Sequence, residues 1–302
     1  MIVAVIDLGS NSIRMTIAKV NRVEKSIVEL ADFRKTVRIS EGMGSEKIIK
    51  SEAFEKTIAA LKEFNTAIAD FSVQDVIALS TEALRKASNR DEFINSVYKE
   101  TGIKFSLITG EEEANYDFLG VSSEFSKKIS NCILMDTGGG SCEFIKVKDG
   151  KAVEVVSLPL GGVVLTEAFL EKDEISASAL FNLFNYIFSK IFSVSWLAEC
   201  NGYPVMAIGG SHKAIKYVKG KSIFNKEEIY KLYDEFLKSD CKIRSEILGE
   251  YADRADIIVG GLAPLICIIN RLNPEKIIMS DKGLRDGVLA EILVDNGCSK
   301  KY

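Results

Sequence analysis

The sequence predicts an α/β protein built from a duplicated domain, each copy a mixed sheet flanked by helices. Three observations carry this. The chain has 302 residues, enough for two domains with separate cores. A motif occurs twice: "VAVIDLGSNSIRM" (3–15) and "CILMDTGGGSCEF" (132–144) each run from apolar residues into Asp, any residue, Gly, two small residues and Ser. The first half then reads strand-strand-strand-helix-strand-helix-strand-helix, the order of an α/β domain with a mixed sheet.

The copies align residue by residue. Asp7 matches Asp136, Gly9 matches Gly138 and Ser12 matches Ser141, and the aspartates stand 129 residues apart. That period fits a duplicated domain and not a solenoid. Seven residues after each aspartate the copies diverge, Arg14 against Glu143. Each apolar run (2–6, 132–135) predicts a buried strand, the Gly-Ser stretch a tight turn, and the alternating segment after it a strand running back. Glycine there permits positive φ and close backbone approach, and N–H groups gathered in such a turn bind phosphate oxygens.

The remaining elements follow in order. Residues 27–40 read as a third strand. Apolar residues at 54, 58, 61, 64 and 68 predict a helix over 51–70 with Ser51 as its N-cap. A short strand over 76–81 leads to a helix over 82–102, broken near Ser88-Asn89 and stopped by Gly102. Another strand (105–109) precedes a helix over 110–125 whose first turn holds Glu111, Glu112 and Glu113, where the helix dipole favours acids. The polar stretch 122–131 marks a boundary.

In the second half, strands fill 132–159. A helix starts near Leu165, and a long one covers 176–199. A strand runs into Gly209, Gly210 and Ser211, and helices follow at 226–237 and 241–251. One long apolar helix spans 253–272, then a strand 276–282 and a last helix 283–297. In the 176–199 helix Leu180, Leu183, Phe184, Ile187, Phe188 and Ile191 share a core face; Phe181, Tyr186 and Phe192 lie off it and mark a candidate homodimer contact.

Composition narrows the function. The chain is 47% hydrophobic and 27% charged with net charge −4, so a nucleic-acid partner is not expected and any anion must be held by local groups. Six cysteines (132, 142, 200, 241, 267, 298) form no CxxC pair, which fits a reducing cytoplasm and not a disulfide framework or zinc site. The opening "MIVAVIDLGS" lacks a basic leader, and no apolar run approaches the ~18 residues of a membrane helix. A cytoplasmic protein without membrane contact is expected. His212 is the single histidine, so polyhistidine metal sites are impossible, and no GxSxG elbow accompanies it. Hydrolysis would rest on carboxylates and an oxygen-bound metal.

The motifs "IDLGSNSIRM", "STEALRKASN", "ITGEEEA", "MDTGGGSCEF", "SLPLGGVVLTEAF", "AIGGS", "RADIIVGGLAPL" and "SDKGLRDG" occur in this order over nearly the whole chain. In them the sequence resembles the exopolyphosphatase/guanosine pentaphosphate phosphohydrolase (Ppx/GppA) family of the actin-like superfamily. The resemblance implies two actin-like (ribonuclease H-like) domains, 1–125 and 126–284, with the last helix (about 285–302) packing back on the first and the active site in the interdomain cleft. It implies a first phosphate loop of Asp7, Gly9, Ser10, Asn11, Ser12 and Arg14, and a second of Asp136, Gly138, Gly139, Gly140 and Ser141. Gly209, Gly210 and Ser211 form a third phosphate-binding turn. Glu113 matches the catalytic base, and Glu143 a second catalytic acid that holds water or metal. Three departures stand out: Thr137 and Cys142 replace isoleucine and threonine, Val164 replaces a common arginine, and the chain carries no HD pair, which resembles the short form and leaves long-chain processivity open.

The implied chemistry is release of terminal phosphate from inorganic polyphosphate, guanosine pentaphosphate or both. Asp7 and Asp136, with Glu143, suit Mg²⁺, which takes one or two carboxylates plus substrate oxygens. Arg14 grips the terminal phosphoryl, and Glu113 takes the proton of the attacking water. Two alternatives stay open: a superfamily kinase, which would need an acceptor, and a non-catalytic sensor of guanosine tetraphosphate or polyphosphate. Arg85 is structural or holds the cleft; Lys213 and Lys216 beside His212 form an anion site or a solvated basic face; Arg254 and Arg285 are candidate contacts to a nucleotide or distal phosphates.

Overall fold

The computed structural model describes residues 1–122, 130–170 and 174–294. Cys298, the end of the last helix and most of the predicted boundary stretch lie outside the described residues. The chain divides into two compact units, Met1–Val121 with the segment from Gly283 onward, and Ser122–Lys282.

In the first unit, β1 (Ile2–Leu8), β2 (Ser12–Asn21), β3 (Ser26–Thr36), β4 (Asp75–Ser80) and β5 (Phe105–Leu107) form a sheet of order β3-β2-β1-β4-β5. The β1-β2 and β2-β3 pairs are antiparallel, while β1-β4 and β4-β5 are parallel. Alternation along β1 decides the layers. Ala4, Ile6 and Leu8 pack with Leu61 and Phe64 of α1 (Ser51–Asp70) and Phe93 and Val97 of α3 (Arg90–Thr101). Val3 and Val5 point the other way and pack with Tyr116 of α4 (Gly110–Ser122) and Leu284, Val288 and Leu289 of α11 (Leu284–Val294). Between β4 and α3 lies the short helix α2 (Glu82–Lys86).

The second unit repeats the plan. Its strands β6 (Cys132–Thr137), β7 (Cys142–Lys148), β8 (Lys151–Leu158), β9 (Val205–Ile208), β10 (Ile223–Phe224) and β11 (Ile277–Met279) are ordered β10-β11-β9-β6-β7-β8. Again the hairpin pairs are antiparallel, and β6-β9 and β9-β11 are parallel. The helices are α5 (Gly162–Phe169), α6 (Ala177–Phe192), α7 (Gly210–Lys219), α8 (Lys226–Lys238), α9 (Cys241–Leu248) and α10 (Ile258–Leu272). No single helix among the described residues is long and apolar enough to cross a membrane. The apolar α10 is a core helix, buried along nearly its whole length.

Several boundaries differ from the sequence reading. Lys50, extended at ψ 151, is the N-cap of α1, and Ser51 is already helical. α5 starts at Gly162, earlier than Leu165, because its first N–H groups are used by the turn at 138–140. The 176–199 helix is two pieces, α6 and a 3₁₀ segment Ser195–Cys200. The apolar run at 253–272 likewise divides: Gly249–Arg254 is a 3₁₀ segment, and α10 begins at Ile258. β3 ends at Thr36 and β11 at Met279. On α6, Phe181 and Phe192 are exposed, while Tyr186 is half-buried and packs on Phe169 at 5.2 Å between ring centroids.

Candidate active site

Parallel strands place their C-terminal ends on one edge of a sheet, where ligands of α/β proteins bind. In the first unit Leu8, Ser80 and Leu107 lie in register there, so the turn 9–12, the segment 81–86 with α2 and the segment 108–113 with the start of α4 gather at that edge. In the second unit β6, β9 and β11 do the same for 138–141, 209–211 and 280–283.

The first turn closes with Gly9 N donating to Ser12 O at 3.1 Å. Ser10, Asn11 and Ser12 are buried. Their carbonyls are tied down: Asn11 O accepts from Val37 N (3.0 Å) and Arg38 N (2.9 Å), and Ser10 O accepts from Ser40 N (3.2 Å). In a trans peptide the next N–H points opposite to the carbonyl, so fixing the carbonyls aims N–H groups the other way. The buried Asn11 amide has no partner on either Oδ1 or Nδ2, so it is ready for a ligand that both accepts and donates.

The second turn is anchored differently. Gly138 N donates to Ser141 O at 3.0 Å, and the turn carbonyls accept from the start of α5: Gly162 N to Gly138 O (2.9 Å), Val163 N to Gly139 O (2.9 Å) and Gly161 N to Gly140 O (3.3 Å). The approach is close enough that a Cβ on Gly161 would fall under 3.0 Å from the backbone of Gly139 and Gly140. The expectation of positive φ in these turns is therefore corrected: Gly9 and Gly138–Gly140 do not adopt it, and their bareness serves approach. Only Gly209, at φ 99, needs the left-handed region. Its Cβ position is blocked by Asp136 Oδ1 and Thr137 O.

Cross-strand rows set the charges. Asp7, Arg14 and Arg34 are partners across β1, β2 and β3; Asp136, Glu143 and Ser157 are partners across β6, β7 and β8. Burial pushes the Arg14 guanidinium below its ordinary pKa; Arg285 and Arg34 add to this, and Asp7 and Asp32 oppose it. Arg285 is ion-paired with Asp32 and donates to Thr16. It is thus built into the first unit beside Arg14. In the second row, buried Glu143 accepts from Ser157 Oγ at 2.6 Å, which fixes its orientation.

The three glutamates of α4 take different positions. Glu111 is exposed. Glu112 completes a capping box: its Oε2 accepts from Thr109 N (2.8 Å), and its N–H donates to Thr109 Oγ1 (3.1 Å). Glu113 is 8% exposed, and Arg85 Nη1 donates to its Oε2 at 3.0 Å and to Ile108 O at 2.6 Å. The Arg85 contact is one that the sequence left open. The same motif also docks the 46–49 segment through Ser88 and Asn89.

At the third turn, Ser211 is buried at the start of α7, and the guanidinium of Arg254 lies where a Cβ on Gly210 would be. His212 is fully buried, so it belongs to no solvated basic face. Its Nδ1 donates to Ile208 O at 2.6 Å, and burial pushes its pKa down to about 4. Lys216 is engaged by Asp281.

A profile of the Ppx/GppA phosphatase family matches residues 16–296. The chain belongs to that family. This Ppx/GppA chain is 28% identical over 96% of its length to a guanosine-5'-triphosphate,3'-diphosphate pyrophosphatase from Pseudoalteromonas translucida, of which it spans 59%. It is 27% identical over 95% of its length to a candidate exopolyphosphatase from Haemophilus influenzae, of which it spans 90%. The chain spans about half the length of the first curated relatives it matches. The crystal structure of the Aquifex aeolicus Ppx/GppA family member superposes with a TM-score of 0.78 at 28% identity, covering 99% of each chain. Two mixed sheets flanked by helices are thus the actin-like fold of this family.

Proposed function

We propose that this protein hydrolyses phosphoanhydrides, releasing terminal orthophosphate from inorganic polyphosphate, guanosine pentaphosphate or both, in the cytoplasm. The observation that carries the reading is the anchoring of both glycine turns by their carbonyls, which turns N–H groups outward in each unit. Arg14 supplies the cation for the phosphoryl oxygens. Glu113 accepts a proton from the attacking water.

The donor set fits Mg²⁺. Among the described residues no cluster of three or more His, Cys, Asp or Glu could enclose an ion. Asp136 and Glu143 instead face each other across a ladder pair, and Gly209 leaves room at the Asp136 carboxylate that a Cβ would fill. One or two carboxylates completed by substrate oxygens is the arrangement Mg²⁺ prefers. Asp136 and Glu143 would hold the ion, with Asp7 as a further carboxylate at the first turn; when bound it neutralises phosphate charge.

The test is initial rates of phosphate release from short polyphosphate, long polyphosphate and guanosine pentaphosphate with Mg²⁺ and no acceptor. Turnover should appear on at least one, and Glu113→Gln should cut it by roughly 10²–10⁴-fold while binding persists. Turnover only with an added acceptor would favour a kinase. Tight binding without turnover, indifferent to Glu113→Gln, would favour a sensor.

A further inference from the structure

We infer that Arg85 is the positioning residue of the catalytic carboxylate: it acts through Glu113 and not on the substrate. This rests on the proposal that Glu113 is the base. The guanidinium is divided between two acceptors, Ile108 O at 2.6 Å and Glu113 Oε2 at 3.0 Å, both through Nη1. Ile108 directly follows the β5 edge, and its N–H donates to Ser80 O at 3.2 Å, so this acceptor is part of the sheet frame. Arg85 itself is fixed at the backbone, its N–H donating to Thr81 O at 3.2 Å, while Thr81 N donates to Leu8 O at 3.3 Å. The arginine therefore links Glu113 to the ends of β1, β4 and β5 together.

A carboxylate at the first turn of a helix has several rotamers, and only one serves a fixed water. Glu112 spends its oxygen on the cap, and Glu111 is in solvent, so neither has this link. Arg85 is what distinguishes the third glutamate from its neighbours. A lysine at 85 would keep a charge, but on a shorter and more flexible side chain that does not hold one nitrogen between the two acceptors as the rigid guanidinium does, so it would only partly restore the link.

The experiment is a double-mutant cycle on short polyphosphate with Mg²⁺, using Arg85→Gln, Glu113→Gln and both together. Arg85→Gln should lower kcat by about 10-fold or more, within the ~10²–10⁴-fold a general base supplies, and leave KM within about 2-fold. Arg85→Lys should recover part of kcat. In the Glu113→Gln background the second substitution should cost almost nothing further. If Arg85→Gln raises KM with kcat unchanged, or multiplies the Glu113→Gln defect, Arg85 acts on substrate and the inference falls. If Arg85→Gln loses its thermal transition, Arg85→Lys takes its place in the cycle with the same two outcomes. A fully active Glu113→Gln single variant would instead overturn the base assignment itself.

Discussion

At the mouth of the first sheet the cross-strand row reads Asp7, Arg14, Arg34; at the mouth of the second it reads Asp136, Glu143, Ser157. The backbones match: an antiparallel hairpin, a turn closed by a Gly N–H on a Ser carbonyl, and a parallel strand beside it. What differs is the sign of charge one strand over. The first row gathers cations, with Arg285 behind it, and suits an anion. The second sets two carboxylates side by side and suits a cation. A duplicated frame thus offers contrasting charge at matching positions, Arg14 and Arg34 in the first row against Glu143 and Ser157 in the second. The anchors differ too. The loop at 37–40, which follows β3, holds the first turn, and the start of α5 holds the second.

The anchoring of the second turn on the start of α5 predicts unequal tolerance to a methyl group within that site. At Gly161 the Cβ would meet the Gly139–Gly140 backbone under 3.0 Å away, whereas at Gly138 it would meet Ser141 O at an ordinary 3.5 Å. Gly161→Ala should cost about 1–3 kcal/mol and displace the second turn, while Gly138→Ala should stay within about 0.5 kcal/mol. Denaturant unfolding of the two variants measures this. Equal stability would break the account of the anchor.

A second contrast concerns acid. The turn after β9 carries His212, and the matching turn after β4, Ser80-Thr81-Glu82, carries no histidine. His212 is neutral in the fold with a pKa of about 4, against 6.5 unfolded. The unfolded chain therefore binds the extra proton between those values, and stability is full above pH 6.5 and declines as pH falls towards 4. The loss amounts to about 3 kcal/mol. In His212→Gln this part of the decline should vanish; melting temperatures of both proteins from pH 7.5 to 4 decide it.

These contrasts also show what the sequence could and could not reveal. The span of α1 is legible because one face is apolar at helical spacing and the other charged, although its cap is Lys50 and not Ser51. The run at 253–272 is not, since α10 is buried all round and apolar character carries no phase to mark its start. The glycine turns stand out through their repeat, and close backbone approach follows from it; positive φ does not hold there, and the second surface, Gly161, is hidden because it depends on a contact between segments about 20 residues apart. Nothing in the string "EEE" singles out Glu113. Burial and Arg85, brought in from another helix, do so, and the resemblance alone had pointed to it.

The central claim is that the two copies divide anion and cation between them. It is tested most directly by titrating Mg²⁺ and polyphosphate separately in Arg14→Gln and Glu143→Gln. A charge-assisted contact is worth about 1.5–3 kcal/mol, or roughly 10- to 100-fold. Arg14→Gln should raise KM for polyphosphate by about that factor and leave the Mg²⁺ requirement unchanged, and Glu143→Gln should raise the Mg²⁺ requirement and leave KM at saturating Mg²⁺ unchanged. If both variants shift the same parameter to the same extent, the division of labour between the copies is wrong.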